Sequence, residues 1–109
     1  MSIQAFGPRG NTVNVSVNQT ASAPVRVRSN PGGQYTYQFV NSGGNKCWFA
    51  SGRDTSLTVA IPVPGTPANG IPILANEIVV YSLGPDAFIS VICQTGEVTT
   101  LEITPGEGM

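Results

Sequence analysis

The residues able to do acid–base or nucleophilic chemistry are few and widely spaced. The chain has no histidine, two cysteines and six acidic residues. Without histidine, neither a Ser-His-Asp nor a Cys-His catalytic arrangement can form. Most of the acidic residues lie in or beside turns, where solvent exposure explains them better than a glycosidase pair does. The residues therefore predict a protein that is not an enzyme, with no catalytic site and no bound cofactor.

The two cysteines are Cys47 and Cys93, and both lie inside strand-like runs without a C-x-x-C pattern. A zinc site would need ligands beyond these two thiols, so no metal site is predicted. The pattern favours two buried free thiols. A disulfide between them is possible only if their two strands are neighbours.

Two side-chain groups are candidates for contact with a partner. Arg26 and Arg28 share one face of a short strand, opposite Val25 and Val27. A solvated strand face is the ordinary interpretation of such a pair. The alternative is a paired contact to acidic groups on a partner, because the forked donors of arginine suit carboxylates.

The aromatic residues are concentrated in the middle of the chain. They are Tyr35, Tyr37, Phe39, Trp48 and Phe49. We expect most of them in the core, although Tyr35 and Tyr37 have polar tips and could line an interface. An exposed ring platform that binds carbohydrate is a further alternative.

The chain is polar without being charged. Charged residues make up 10% of its 109 residues and the net charge is −1, whereas a typical soluble domain has about 25% charged residues. Copies of such a protein repel each other weakly, which favours assembly. No basic surface for nucleic acid, no apolar run long enough for a membrane helix and no signal peptide is predicted. We therefore expect synthesis in a reducing cytosol.

The fold prediction is an all-β single domain over residues 1–109. Val and Ile together number 20 and Leu only 4, and β-branched residues favour strands over helices. Regular turn signals indicate a β-sandwich, jelly-roll-like rather than immunoglobulin-like, with almost no helix. The eight short antiparallel strands are predicted at 12–18, 25–28, 35–40, 47–51, 57–61, 77–83, 87–93 and 97–104.

The connections between these strands are also predicted from turn residues. Residues 41–45 are expected to form a hairpin-type connection with glycines at positive φ. The proline-rich stretch 62–72 is expected to cross from one sheet to another. A turn at 84–86 is expected to join a strand to its partner, a further turn is expected at 94–96, and 105–109 is expected to be a short tail.

The N-terminal residues 1–8 lie outside any predicted strand. Ile3 and Phe6 are apolar and are followed by Gly7 and Pro8. They are expected either to cap the subunit's own core or to act as an extended arm that orders on docking to a partner. A frayed end is the third alternative.

From Tyr35 onward, the order of features resembles small bacteriophage virion proteins encoded beside head genes. The resemblance rests on a pattern of strands and turns over the last two-thirds of the chain. Its segments are Phe39–Gly43, Cys47–Ala50, Asn69–Ile73, Ile78–Leu83 and Thr100–Gly108. No binding residue is carried over with this resemblance.

The resemblance implies a β-sandwich that decorates or cements a phage head. The expected partner is the major capsid protein, the expected location is the head surface of the virion after synthesis in the host cytoplasm, and neither nucleic acid nor membrane is bound. Self-association is expected, with a trimer favoured over a dimer because threefold positions are abundant on icosahedral shells. A tail, collar or fibre component and a carbohydrate-binding sandwich module remain the alternatives.

Overall fold

The computed structural model describes residues 7–8, 11–27, 36–53, 55–83 and 88–107. These residues contain nine strands and no helix, so the prediction of an all-β sandwich is confirmed. The strands are β1 (Gly7–Pro8), β2 (Val13–Val17), β3 (Val25–Arg26), β4 (Thr36–Asn41), β5 (Cys47–Gly52), β6 (Ile71–Ile73), β7 (Ile78–Ser82), β8 (Phe88–Cys93) and β9 (Thr99–Glu107).

The strands form two antiparallel sheets. In the first sheet, β9 lies between β4 on one side and both β1 and β2 on the other, and β7 follows β4. The second sheet has the order β3-β8-β5-β6. Strands such as β2 and β4 bury alternate residues, as expected for a sandwich with its core between two sheets.

The strand pairing is nested. The strand β2 pairs with β9, β3 with β8, β4 with β7, and β5 with β6. The chain is therefore arranged as one long hairpin whose innermost connection is 53–70. In addition, β4 pairs with β9 and β5 pairs with β8, and these contacts fold the long hairpin into the two four-stranded arrangements β2-β9-β4-β7 and β3-β8-β5-β6.

Aromatic side chains from both sheets meet in the middle of the core. The rings of Phe39 on β4 and Phe49 on β5 stack with centroids 4.4 Å apart. Tyr81 on β7 meets Phe39 edge-on at 5.8 Å. Such ring pairs add stabilisation beyond that of the area they bury, so this contact stabilises the packing of one sheet on the other.

The second sheet is covered on its outer face as well. Trp48 and Ala50 point away from the main core, yet both are buried, because residues 57–61 of the long connection pack over them through Val59. The Asn69 side chain bonds both the Ala60 N–H, at 2.8 Å, and the Thr58 carbonyl, at 3.0 Å. The Asn69 side chain thus supplies hydrogen bonds to residues 57–61 that a neighbouring strand would otherwise supply.

Two predictions about this region are wrong. Residues 57–61 are not a strand; their alternation arises because one side packs on Trp48. Residues 62–72 do not cross between sheets, because β5 and β6 belong to the same sheet. The crossing is made by 74–77, which joins β6 to β7. Pro72 lies in β6 at the edge of its sheet, where proline is tolerated.

The predicted hairpin at 41–45 and the pairing expected between the strands on either side of 84–86 are also wrong, whereas the turn predicted at 94–96 is confirmed, with the Glu97 N–H bonded to the Gln94 carbonyl at 3.0 Å. All three connections join strands of different sheets. The glycines of 41–45 do not adopt positive φ, whereas Gly96 does, at 81°. The alternation of a strand shows which side is buried but not which strand lies beside it, so a tight turn and a crossing between sheets have the same sequence signature.

The ends of the chain are more ordered than predicted. The strand β9 continues through Pro105 to Glu107, instead of ending before a tail. On the edge of β9 that pairs with β1 and β2, Pro105 lies between the segment paired with β1 and the segment paired with β2. Its missing N–H therefore removes no ladder bond. Gly7 and Pro8, placed outside any strand by the sequence, pair with Glu107 and Gly106.

Replacing Gly70 with alanine should destabilise the fold. A Cβ at Gly70 would lie 2.5 Å from the Ala60 carbonyl oxygen and 3.1 Å from the Trp48 Cβ. Overpacking of this kind typically costs about 1–3 kcal/mol, and we expect the free energy of unfolding in urea to fall by that amount. The matched control is Gly44→Ala, since a Cβ there meets nothing within 4 Å. Equal stability of both variants would contradict the packing of 57–61 described above.

Candidate functional site

Four connections between the sheets meet at one end of the sandwich. They are residues 18–24, 42–46, 74–77 and 94–98, and we call this region the connection end. It lies where β2, β4, β6 and β8 end and where β5, β7 and β9 begin. Loops positioned by a rigid sandwich are where binding residues are most often found, so this end is the candidate site.

The connection end is built around the buried side chain of Asn41. Its amide nitrogen donates to the carbonyl oxygens of Asn45, at 2.9 Å, and Ile73, at 3.3 Å. Its amide oxygen accepts from the Gly43 N–H, at 3.2 Å, and from the Thr99 hydroxyl, at 2.6 Å. All four hydrogen-bonding positions of the amide are used, and they join parts of both sheets.

Beside this network, the backbone at Gly43 lies very close to Thr99 of β9. A Cβ at Gly43 would overlap the side chain of Thr99, so glycine is required for steric reasons and not for its φ. Farther out, the Asn45 amide donates to the Val98 carbonyl at 2.8 Å, and the Gln19 amide oxygen accepts from the Gly96 N–H at 2.8 Å. Uncharged amides therefore order three of these connections from the core outward. The fourth, 74–77, is closed by the Glu77 carboxylate, which accepts from the Leu74 N–H at 2.8 Å.

Apolar side chains stand exposed on this ordered end. Leu74 is 55% exposed, Ile78 62% and Val98 64%. Beside Val98 lies a shallow groove of about 440 Å³. It is lined by Ser16, Val17, Asn18, Gly43, Val98, Thr99 and Thr100. The groove walls carry no charged side chain, so the surface suits an uncharged, partly apolar partner more than an ion or a phosphate.

The two cysteines are brought together by the structure. Cys47 and Cys93 are directly opposite each other on β5 and β8, both buried and both free thiols. Burial, and then the neighbouring Cys93, raise the pKa of the Cys47 thiol to about 12. Burial, and then Glu97, also raise the pKa of Cys93. Both groups therefore stay protonated and unreactive at neutral pH.

Arg26 is the one member of the predicted arginine pair that lies among the described residues. It is exposed on β3, with its guanidinium carbon 5.7 Å from the centre of the Phe88 ring. A cation above a ring at this distance is weakly attracted. Arg26 lies on the second sheet and away from the Asn41 network, so the structure does not bring it into the connection end.

The aromatic candidates are placed in the interior. Tyr37 has no exposed surface and Trp48 is 5% exposed, so neither offers a ring to a partner or to a sugar. Tyr37 therefore belongs to the core instead of an interface. Ile3, Phe6, Arg28 and Tyr35, which the sequence also marked as interface candidates, lie outside the described residues.

No group of three or more His, Cys, Asp or Glu residues close enough to hold a metal ion occurs in the part of the chain that the structure describes. Within that same part, there is no helix that could span a membrane.

Comparison with known proteins identifies no relative. No protein-family model, curated protein or solved structure matches this chain.

The sequence did not single out the residues that build the connection end. In the sequence Asn41 has the pattern of a turn residue, Ile78 and Val98 have the pattern of strand residues, and nothing marks Leu74. The signal that was present is an asparagine two residues before a Gly-Gly pair, because a close chain approach beside a buried amide needs both. The exposure of the apolar residues cannot be predicted from the sequence, because the residue type is the same whether an isoleucine is buried or exposed.

Replacing Asn41 with aspartate should destabilise the protein strongly at neutral pH. The shape is kept, but the two donors to Asn45 and Ile73 are lost and a carboxylate is buried, which we expect to cost roughly 3 kcal/mol. Urea unfolding at pH 7 measures this loss. Asn11→Asp, at an exposed position before β2, is the matched control and should change stability by less than about 0.5 kcal/mol. Similar losses for both variants would show that the amide network is not the stabilising feature.

Alkaline pH should destabilise the protein through its two thiols. The pKa of Cys47 is raised from 9.0 to about 12 in the folded state. The thiols favour the folded state fully below pH 9, and this contribution is lost as pH rises toward 12, because the unfolded chain releases these protons first. We expect the melting temperature to fall over this range, and to fall less in a Cys47→Ala, Cys93→Ala double variant. An identical pH dependence in both proteins would contradict the assignment.

Proposed function

We propose that this protein is a non-enzymatic structural component of a bacteriophage virion that decorates or cements the head shell. In this proposal its connection end docks on the major capsid protein. The observation that carries the proposal is the combination, at one end of a sandwich, of ordered loops with exposed Leu74, Ile78 and Val98.

The topology supports the proposal. We infer that the sandwich is a jelly roll, a double-sheet fold of eight strands common in viral shell proteins. The strands β2 to β9 number eight, and their pairing is nested from β5–β6 outward to β2–β9. A long antiparallel hairpin wrapped into two sheets has this pairing. The fold alone does not imply a function, and it is the connection end that adds the docking surface.

The chemistry of the connection end suits a permanent contact. Its loops are held by amide hydrogen bonds from Asn41, Asn45 and Gln19, so little conformational entropy is lost when a partner binds. Apolar burial and uncharged hydrogen bonds also depend little on ionic strength. A protein that must remain on a particle in variable salt benefits from both properties.

Location in the particle is the direct test of the proposal. Immunogold labelling of intact virions with an antibody against this protein should mark the head surface. Labelling confined to a tail, collar or fibre would replace the decoration role with the alternative virion role. Absence of the protein from purified particles would reject both.

Charged substitutions at the connection end should impair docking without unfolding the protein. Leu74→Glu and Val98→Glu place charges on side chains that are already exposed, so the melting temperature should stay unchanged. Binding to shells that lack the protein, measured by co-sedimentation, should fall by about tenfold or more, since a desolvated unpaired charge costs several kcal/mol. Val63→Glu is the matched control, because Val63 is 54% exposed on the 53–70 connection. Equal binding of all three variants would place the docking surface elsewhere.

A further inference from the structure

Within the part of the chain that the structure describes, the strand β7 has an open hydrogen-bonding edge. Among the described residues it pairs only with β4, and it ends the first sheet. The Asn41 N–H bonds the Glu77 carbonyl at 2.9 Å, so residues 77, 79 and 81 direct their backbone groups toward β4. By the alternation of an antiparallel ladder, Ile78, Val80 and Ser82 direct theirs outward.

This edge lacks the features that protect sheet edges. The strand Ile78–Ser82 contains no charge and no proline, and Ile78 exposes 62% of its side chain. Natural edge strands are usually protected by charged residues, proline or very short length. An uncharged, apolar and open edge of five residues is therefore a template for another strand.

The other edges of the sandwich differ in this respect. On β6, the edge position Pro72 has no N–H to donate, and β3 has only two residues. The remaining long edge, β2, presents Asn14 and Ser16 outward, and both are exposed polar side chains. Of the edge strands that the structure describes, β7 alone combines outward backbone groups with apolar side chains that gain from burial.

We propose that β7 pairs antiparallel with β7 of a second copy of this chain, across a twofold axis through Val80. In this arrangement Val80 faces its own counterpart, and Ile78 faces Ser82 of the other copy. All three pairs join residues whose backbone groups point outward, so six hydrogen bonds form between the copies. The two first sheets then become one continuous sheet.

Charge selects the antiparallel register. The charged residue nearest to this edge is Glu77, just before β7. In a parallel pair the two Glu77 side chains would be neighbours, and like charges side by side are destabilising. In the antiparallel pair they are six residues apart, roughly 20 Å, which exceeds the screening length of about 8 Å in physiological salt.

The proposed contact is small and does not depend on the function proposed above. A five-residue strand pair lies at the lower end of interface sizes, so the free dimer should be weak. The twofold pair replaces the trimer expected from capsid symmetry for the protein in solution. Because Leu74 and Val98 are the residues tested for shell docking, failure of either proposal is distinguishable from failure of the other.

Sedimentation of the purified full chain tests the pairing. Between about 10 μM and about 1 mM protein, we expect a shift from monomer to dimer. Val80→Lys places two like charges opposite each other on the axis and should weaken dimerisation about tenfold or more. Its melting temperature at low concentration should be unchanged. The matched control is Ser16→Lys, the same replacement at an outward position of the β2 edge, which should leave the dimer intact.

Cross-linking tests the register. Antiparallel pairs that share two hydrogen bonds have Cα atoms about 5.5 Å apart, within the range that a disulfide spans. A Val80→Cys variant treated with glutathione disulfide should form a covalent dimer, in which two thiols lose two protons and two electrons to the oxidant. Ser82→Cys, whose two copies would be about 14 Å apart, should form far less.

Three results would overturn the proposal. The first is a protein that stays monomeric up to about 1 mM or that forms a trimer. The second is a dimer that tolerates Val80→Lys but is weakened by Ser16→Lys, which would assign the contact to β2. The third is equal cross-linking of Val80→Cys and Ser82→Cys, which would exclude the twofold register.

Discussion

The side chain of Asn41 is the interaction on which the arrangement of the two sheets depends. It sits at the end of β4, where the chain leaves one sheet for the other, and its amide bonds Asn45, Ile73, Gly43 and Thr99. A buried amide that lost any of these partners would leave a desolvated polar group. The amide therefore favours one mutual position of four chain segments, and the loops of the connection end are built outward from it.

The second constraint is that the second sheet has apolar side chains on both faces, so its outer face also needs a covering layer. The strand β5 directs Phe49 into the main core and Trp48 outward, and both are buried. The 53–70 connection supplies the missing layer by folding back over Trp48, and it needs Gly70 and Asn69 to do so. The longest connection of the fold is thus part of its packing.

The low charge of the chain affects both how its loops are held and what its surface can bind. With charged residues at 10% of the chain, amides and hydroxyls supply most of the side-chain hydrogen bonds in the loops, Glu77 being the charged exception, and the strand β7 itself carries no charge. Ordered loops at one end and an unprotected strand at one side are both suited to contacts with other proteins. The two surfaces share Ile78, but they carry separate proposals because the first depends on exposed side chains of the loops and the second on the backbone edge of β7.

Composition and alternation were sufficient to predict the all-β class, the sandwich and most strand positions. The period of two in segments such as Val13–Val17 depends only on neighbouring residues, because successive side chains of a strand point to opposite faces. They also placed Cys47 and Cys93 in the interior. They did not decide which strands are neighbours: the connection at 41–45 has the sequence pattern of a hairpin but crosses between sheets. Partner choice depends on contacts between residues far apart in the chain, such as Asn41 with Thr99. Only the tertiary structure settles those contacts, and with them the connection end and the open edge, because exposure is a property of the assembled sheets and not of any residue type.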